Sequence, residues 1–381
     1  MAVQFFLNVI TVFEFRRCVI FLARSMLLVG TSERNDVRLT KVGYLGIALA
    51  AIMLSAVPAS GGALGVGVAP LMSGSPGLIF QSQSDVAPGL VRTSWTFPGG
   101  TVNAVDMAGS TVSAGCTGKS GAAGSCWAST GPSSQSGGVR YYTQAQAAQL
   151  TYQELSAIGA SNSIALSMAS NILPQGAAFT PSSTPPSGTI ANNVAGSSTS
   201  GTLASLTIPV GSYFHSACTQ VTGDAGYASI YACINQRLLQ DNSAGTYVGD
   251  AITSSAADSD AWDSLTSAYG RETYTYTGSY GTHTLVQWNP SSTVSVGNPT
   301  QVTYGVSQGG IGISATNTLY PGSLQPNILD WNGSAYTGFG TTWTGCSQYG
   351  TVSTPSADMM KVSSGGDIYS HLTDGIGWYF C

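Results

Sequence analysis

Tyr274-Thr275-Tyr276-Thr277 and Thr282-His283-Thr284-Leu285-Val286-Gln287-Trp288, set about Gly278-Ser279-Tyr280-Gly281, alternate along the chain with a period of two. Successive side chains of a strand point to opposite faces, so this period predicts two strands, and the small residues between them predict a turn: an antiparallel hairpin. The pattern persists downstream through Thr293-Val294-Ser295-Val296, Val302-Thr303-Tyr304 and Ile311-Gly312-Ile313, which makes the C-terminal third mostly β. Upstream, Gly77-Leu78-Ile79-Phe80 is a short apolar run. Leu90–Phe97, the turn signal Pro98-Gly99-Gly100 and Thr101–Val105 predict a second hairpin.

Helical spacing is confined to a few places. Thr143 with Gln146 forms a capping-box pattern, and Ala145, Leu150, Leu155 and Ile158, then Ile164, Leu166 and Met168, predict two helices within 139–173, interrupted at Gly159. A short strand is predicted over Ala204–Val210, and Ala232–Leu239 reads as helical. Asp258, Asp260 and Asp263 read as the acidic first turn of a helix closed by Gly270; as a calcium loop the run lacks the required glycine and terminal glutamate. Pro174–Thr202 has little to bury and reads as a linker or long exposed loop. The fold class expected is α+β and β-rich, with antiparallel strands, a few helices and disulfide staples after an N-terminal export segment. The divisions are 1–59, leader; 60–173, a mixed region; 174–203, linker; and 204–381, a β-rich disulfide-containing domain.

Arg34, Arg38 and Lys41 precede the apolar run Leu45–Leu54, and Val57-Pro58-Ala59 offers the small residues that a signal peptidase reads. Residues from about Ser60 onward are therefore expected outside the cell or at its surface. If the segment is kept, the uncharged run Tyr44–Met72 is long enough to anchor the chain in a membrane with the same side out. Lys41-Val42-Gly43 before an apolar run also resembles the leader of type IV pilins, which carry a Glu at the fifth mature position, where this chain has Ala48. Starting at Met26 instead of Met1 would leave a signal peptide of ordinary length.

Only 8% of residues are charged and 48 are Gly, against about a quarter charged in an average soluble protein. After Ala59 the basic residues are Arg92, Lys119, Arg140, Arg237, Arg271 and Lys361, outnumbered by acidic ones, which excludes nucleic-acid binding through a cationic surface. So few titrating groups suit an acidic or variable exterior. Cys18 lies in the leader. Cys116, Cys126, Cys218, Cys233, Cys346 and Cys381 form three separated couples, and an oxidising destination predicts pairing within each couple. No Cys-x-x-Cys occurs and His215, His283 and His371 do not cluster, so no metal or other cofactor is expected.

Three kinds of function remain. Gly305-Val306-Ser307-Gln308-Gly309 fits the nucleophile elbow and resembles the Gly-Tyr-Ser-Gln-Gly of cutinase-like serine esterases. The resemblance implies Ser307 as nucleophile, His371 as base and Asp358 as the residue orienting it, with the backbone amide of Gln308 at the oxyanion. Trp95, Trp127, Trp262, Trp288, Trp331, Trp343 and Trp378, with 18 tyrosines, offer flat faces for sugar or protein partners. Tyr274, Tyr276 and Trp288 are the preferred binding residues. Asn332-Gly333-Ser334 is a glycosylation sequon. Low charge, disulfides and Thr-rich strands suit a subunit that self-associates at the surface. The favoured expectation is an adhesin or pilin-like appendage protein acting by binding or assembly, with a secreted serine esterase as the alternative.

Overall fold

The computed structural model describes residues 77–379 and 381, apart from 88, 119–122, 132–138, 175–176, 192–207, 260–263, 275–282, 332–334, 348–349 and 363–368. The leader, Tyr276 and Asn332 lie outside the described residues. So do the backbone preceding β8 over 204–207 and the side chain of Tyr274.

Strands β1 (Phe80–Ala87), β2 (Leu90–Phe97), β3 (Gly100–Met107), β4 (Thr111–Thr117), β5 (Gly124–Gly131) and β6 (Arg140–Tyr141) precede helices α1 (Gln144–Ala157) and α2 (Asn162–Ser170). Then follow β7 (Thr189–Ile190), β8 (Tyr213–Gly223), β9 (Ala228–Asn242), β10 (Gly245–Asp258), β11 (Ser264–Tyr274), β12 (His283–Asn289) and β13 (Val294–Val296). The chain ends with β14 (Thr300–Gln308), β15 (Ile311–Leu319), β16 (Gly322–Trp331), β17 (Ala335–Ser347), β18 (Thr351–Val352), β19 (Ser356–Val362) and β20 (Ser370–Tyr379). Sheet A runs β1-β2-β3-β8-β9-β10-β19-β12, with β18 also on β10, and sheet B runs β13-β16-β17-β11-β20-β5-β4. The strand pairings are antiparallel. The expected β-rich fold with a few helices is the fold observed.

The two sheets face each other and share an apolar interior. Phe214, Leu238, Val248 and Met360 of sheet A meet Phe339 of sheet B, and Trp95, Val102 and Val221 meet Trp343, Ile376 and Trp378. The other face of sheet A is also covered. Leu150, Leu155 and Ile158 of α1 and Met168 of α2, with Val306 and Ile313 of the β14–β15 hairpin, pack over Cys218, Cys233, Ala251 and Met359.

Helix α1 begins where its sequence says it should. Thr143 caps Gln146, the reciprocal capping box is complete, and Gly159 stops the run at φ 93°, a conformation that costs a glycine little. Ser161 then caps α2. The β2–β3 hairpin is also present, with Phe97 opposite Gly100.

Five expectations are corrected. Tyr274 and Thr284 do not belong to one hairpin: β11 lies in sheet B between β17 and β20, while β12 lies in sheet A on β19. Period two reports that a segment is a strand, not which strand it pairs with. Residues 232–239, read as helical, lie in β9, which is covered on both faces, so that residues of both parities are buried and the period-two alternation is lost. Gly270 does not close a helix but sits in β11 opposite Thr341, and Ile208 and Pro209, read as part of a strand, are irregular. Finally, 174–203 separates no two domains. β3 pairs with β8 and β5 with β20, so the chain on either side of the stretch builds both sheets. The stretch's own Ser182 is held by both ends of the Gln149 side chain, at 2.6 and 2.8 Å.

Candidate functional site

All three cysteine couples pair as expected: Cys116 with Cys126, Cys218 with Cys233 and Cys346 with Cys381. The first two link residues directly opposite each other on neighbouring strands. Such bonds fit an oxidising, extracellular setting. Among the described residues no helix is long and apolar enough to cross a membrane.

The serine motif does not form an elbow. Ser307 lies in β14, paired with Gly312 of β15, and the chain turns back through Gly309 and Gly310 at φ 60° and 83°. That is a two-residue β-turn, not the strand-to-helix bend that presents a nucleophile. Ser307 is exposed on a hairpin that packs against the outer face of sheet A, through Ile313 over Gly249. The next residue of β10, Asp250, points the opposite way, to the interior that it shares with Asp358. Thus sheet A stands between the hairpin of Ser307 and the Asp358 side chain. His371, on β20 of sheet B, feels the charges of Asp106 and His215. The three residues are not brought together.

Of the binding residues proposed from sequence, only Trp288 has a described side chain. Trp288 is half-buried and packs against the core cluster of Leu285 and Phe339, and Trp95, Trp343 and Trp378 are buried. Among the described residues, the aromatic side chains left at the surface are Phe80, Trp127, Tyr227 and Tyr379. Composition does not distinguish them from the buried rings; only strand parity does.

What the structure does gather is a polar seam between the sheets. Asp106 on β3 accepts from the Thr130 hydroxyl of β5 at 2.6 Å and meets His215 Nε2 of β8 at 3.1 Å. Gln236 of β9 receives the backbone N–H of Ser370 at 3.1 Å on the same Oε1 that lies 2.8 Å from His215 Nδ1. An amide oxygen only accepts, so Nδ1 donates to it and Nε2 faces the Asp106 carboxylate. Tyr369 stands edge-on to the imidazole at 5.7 Å. His371 fits against Gly131 so closely that a side chain there would overlap its ring; burial pulls its pKa down, against the opposing pull of Asp106.

Buried carboxyls, in the seam and elsewhere, are unusually many; Glu154 of α1 lies on the other face of sheet A, where it accepts from the Ser216 hydroxyl at 2.6 Å. Asp106, Glu154, Asp224, Asp250, Asp258, Glu272, Asp358 and Asp374 are all buried. Burial raises Glu154 well above the carboxylate range against the pull of the Ser216 hydroxyl, and raises Asp374 to about 8 against that of Thr219. Asp250, Glu272 and Asp358 form one cluster, with oxygens within 4.8 Å of one another. None of this was foreseen, because the eight are scattered over more than 250 positions of sequence and only the pairing of strands from both halves collects them.

Compared with known proteins, the chain matches no family model, no curated protein and no solved structure.

Proposed function

We propose that the chain is an exported surface protein of adhesin or appendage type that acts by assembling with further copies of itself, the free edge of sheet A being the contact. The observation that carries this reading is the exposure of that edge. Among the described residues strand β1 is bonded only to β2, its first six residues are exposed, and Leu78, Ile79 and Phe80 at its start are 39, 66 and 59% exposed. Natural sheets guard such edges with lysine, proline or a covering loop, because unpaired backbone groups template pairing with another chain. Phe80–Ala87 contains neither lysine nor proline, and Asp85 is its one charge. Two copies can therefore approach edge to edge with little repulsion, and an isologous pairing of β1 with β1 would continue sheet A across both molecules while covering the apolar triplet.

Low charge, three disulfides and a two-sheet frame support a surface role in which persistence matters more than turnover. Sedimentation velocity of the oxidised chain tests the reading. Concentration-dependent association is expected, and Ile79→Lys with Phe80→Lys should abolish it while leaving the far-ultraviolet circular dichroism unchanged. A wild-type chain that stays monomeric at its solubility limit would remove the assembly proposal.

A further inference from the structure

We propose that Asp250, Glu272 and Asp358 form a proton-held clasp between the two sheets, closed while the carboxyls share protons in an acidic medium and loosened as the medium is neutralised. Asp250 and Asp358 sit directly opposite each other on β10 and β19 of sheet A, and Glu272 reaches them from β11 of sheet B. All three are buried, at 0, 1 and 0% exposure. Glu272 Oε1 is fixed by the backbone N–H of Phe339 at 3.0 Å, while Glu272 Oε2 and Asp358 Oδ2 have no hydrogen-bond donor among the described residues.

Three carboxylates at that spacing, away from water, cannot all be ionised: like charges repel strongly where water does not screen them, and each buried charge also loses its hydration. A protonated carboxyl removes both difficulties at once. It becomes a donor, and its O–H bonds to the neighbour's free oxygen, which would tie sheet B to sheet A.

Among the described residues no base is placed to neutralise the group otherwise. The residues opposite its members are Gln236 on β9, Trp288 on β12, Phe339 on β17 and Leu372 on β20, none of which titrates. Among the described residues, the titratable groups that share the interior are Asp374, bonded to Thr219 at 2.6 Å, the Asp106, His215 and His371 group, and Tyr369, which packs in the cluster of Phe339. Arg271 lies over the Tyr269 ring, Lys361 over Tyr247, and Arg237 is bonded to the carbonyls of Gly211 and Gly312. Burial, then the neighbouring carboxylates, push Glu272 well above the usual carboxylate range; burial and Asp250 do the same for Asp358. A divalent cation is the other possible neutraliser, but calcium takes six to eight oxygens, and the side chains of Trp288, Phe339 and Leu372 around the cluster offer none.

A carboxyl that keeps its proton longer in the folded chain gives stability that is complete below about pH 4 and is lost as pH rises toward the folded pKa. The test is urea unfolding of the oxidised chain from pH 3 to 8, in parallel with EDTA and with calcium chloride. The folding constant should fall about tenfold per pH unit for each proton released on unfolding, with neither additive changing it. Glu272→Gln and Asp358→Asn, scored separately, should each make the curve less steep. Infrared absorption of the wild type at pH 6 provides a readout independent of variant folding, and should retain a protonated-carboxyl C=O stretch. Stability that is flat or rises between pH 4 and 8, or absence of that band, would overturn the clasp. So would loss of stability in EDTA that calcium restores, which would make the group a cation site.

Discussion

Ser307 is exposed in a strand, with sheet A between its hairpin and the side chain of Asp358, and its hydroxyl is assigned no task. Ser307→Ala is expected to change stability by no more than about 0.5 kcal/mol, as for an ordinary surface position, and to leave any ester hydrolysis by the purified chain at its original rate. A drop in that rate would restore the nucleophile reading. The glycines after it matter more. Gly309 and Gly310 both have positive φ, which costs other residues about 1–2 kcal/mol each, so Gly310→Val should destabilise by about that amount in urea titrations. Asp374 is the one buried carboxyl with a definite range: raised to about 8 by burial, it holds its proton in the folded chain well past the point at which the unfolded chain gives it up. Its contribution to stability is full in acid and is lost from about pH 4 to about pH 8. Asp374→Asn should remove that contribution to the slope.

At the scale of elements, the sequence was most legible where a local rule is complete in itself. The capping box of α1, the stop at Gly159, the β2–β3 hairpin and the three cysteine couples all depend on residues within a few turns or loops of one another, and all are as read. What failed was partner choice and burial. Strands β11 and β12 look like a hairpin because each alternates, yet they join different sheets. Strand β9 looks helical because helices cover one face and sheet B the other, which erases the alternation. The carboxyl seam was illegible for the same reason, since β3, β8, β10, β11, β19 and β20 meet only in three dimensions. The disulfide between β8 and β9 closes 15 residues, for which loop entropy gives about 3 kcal/mol. Cys218→Ser with Cys233→Ser should therefore lower the unfolding free energy by about that amount, read from the urea midpoint at constant slope.

Taken whole, the molecule is one set of two facing sheets to which both ends of the described chain contribute, with cross-strand disulfides where a soluble cytosolic protein would carry surface charge. Its titratable groups are few and, among the described acids, mostly inside, so acid is the medium in which burying them costs least. Under the proposed export both traits would have one origin, since a chain that leaves the cell gives up cytosolic reducing conditions and buffered pH together. The most direct test of that account is the intact mass of the chain recovered from its producing cells, alkylated with and without prior reduction. The account predicts a mature N-terminus near Ser60 and six cysteines that alkylate only after reduction. A chain beginning at Met1 whose cysteines alkylate without reductant would contradict it.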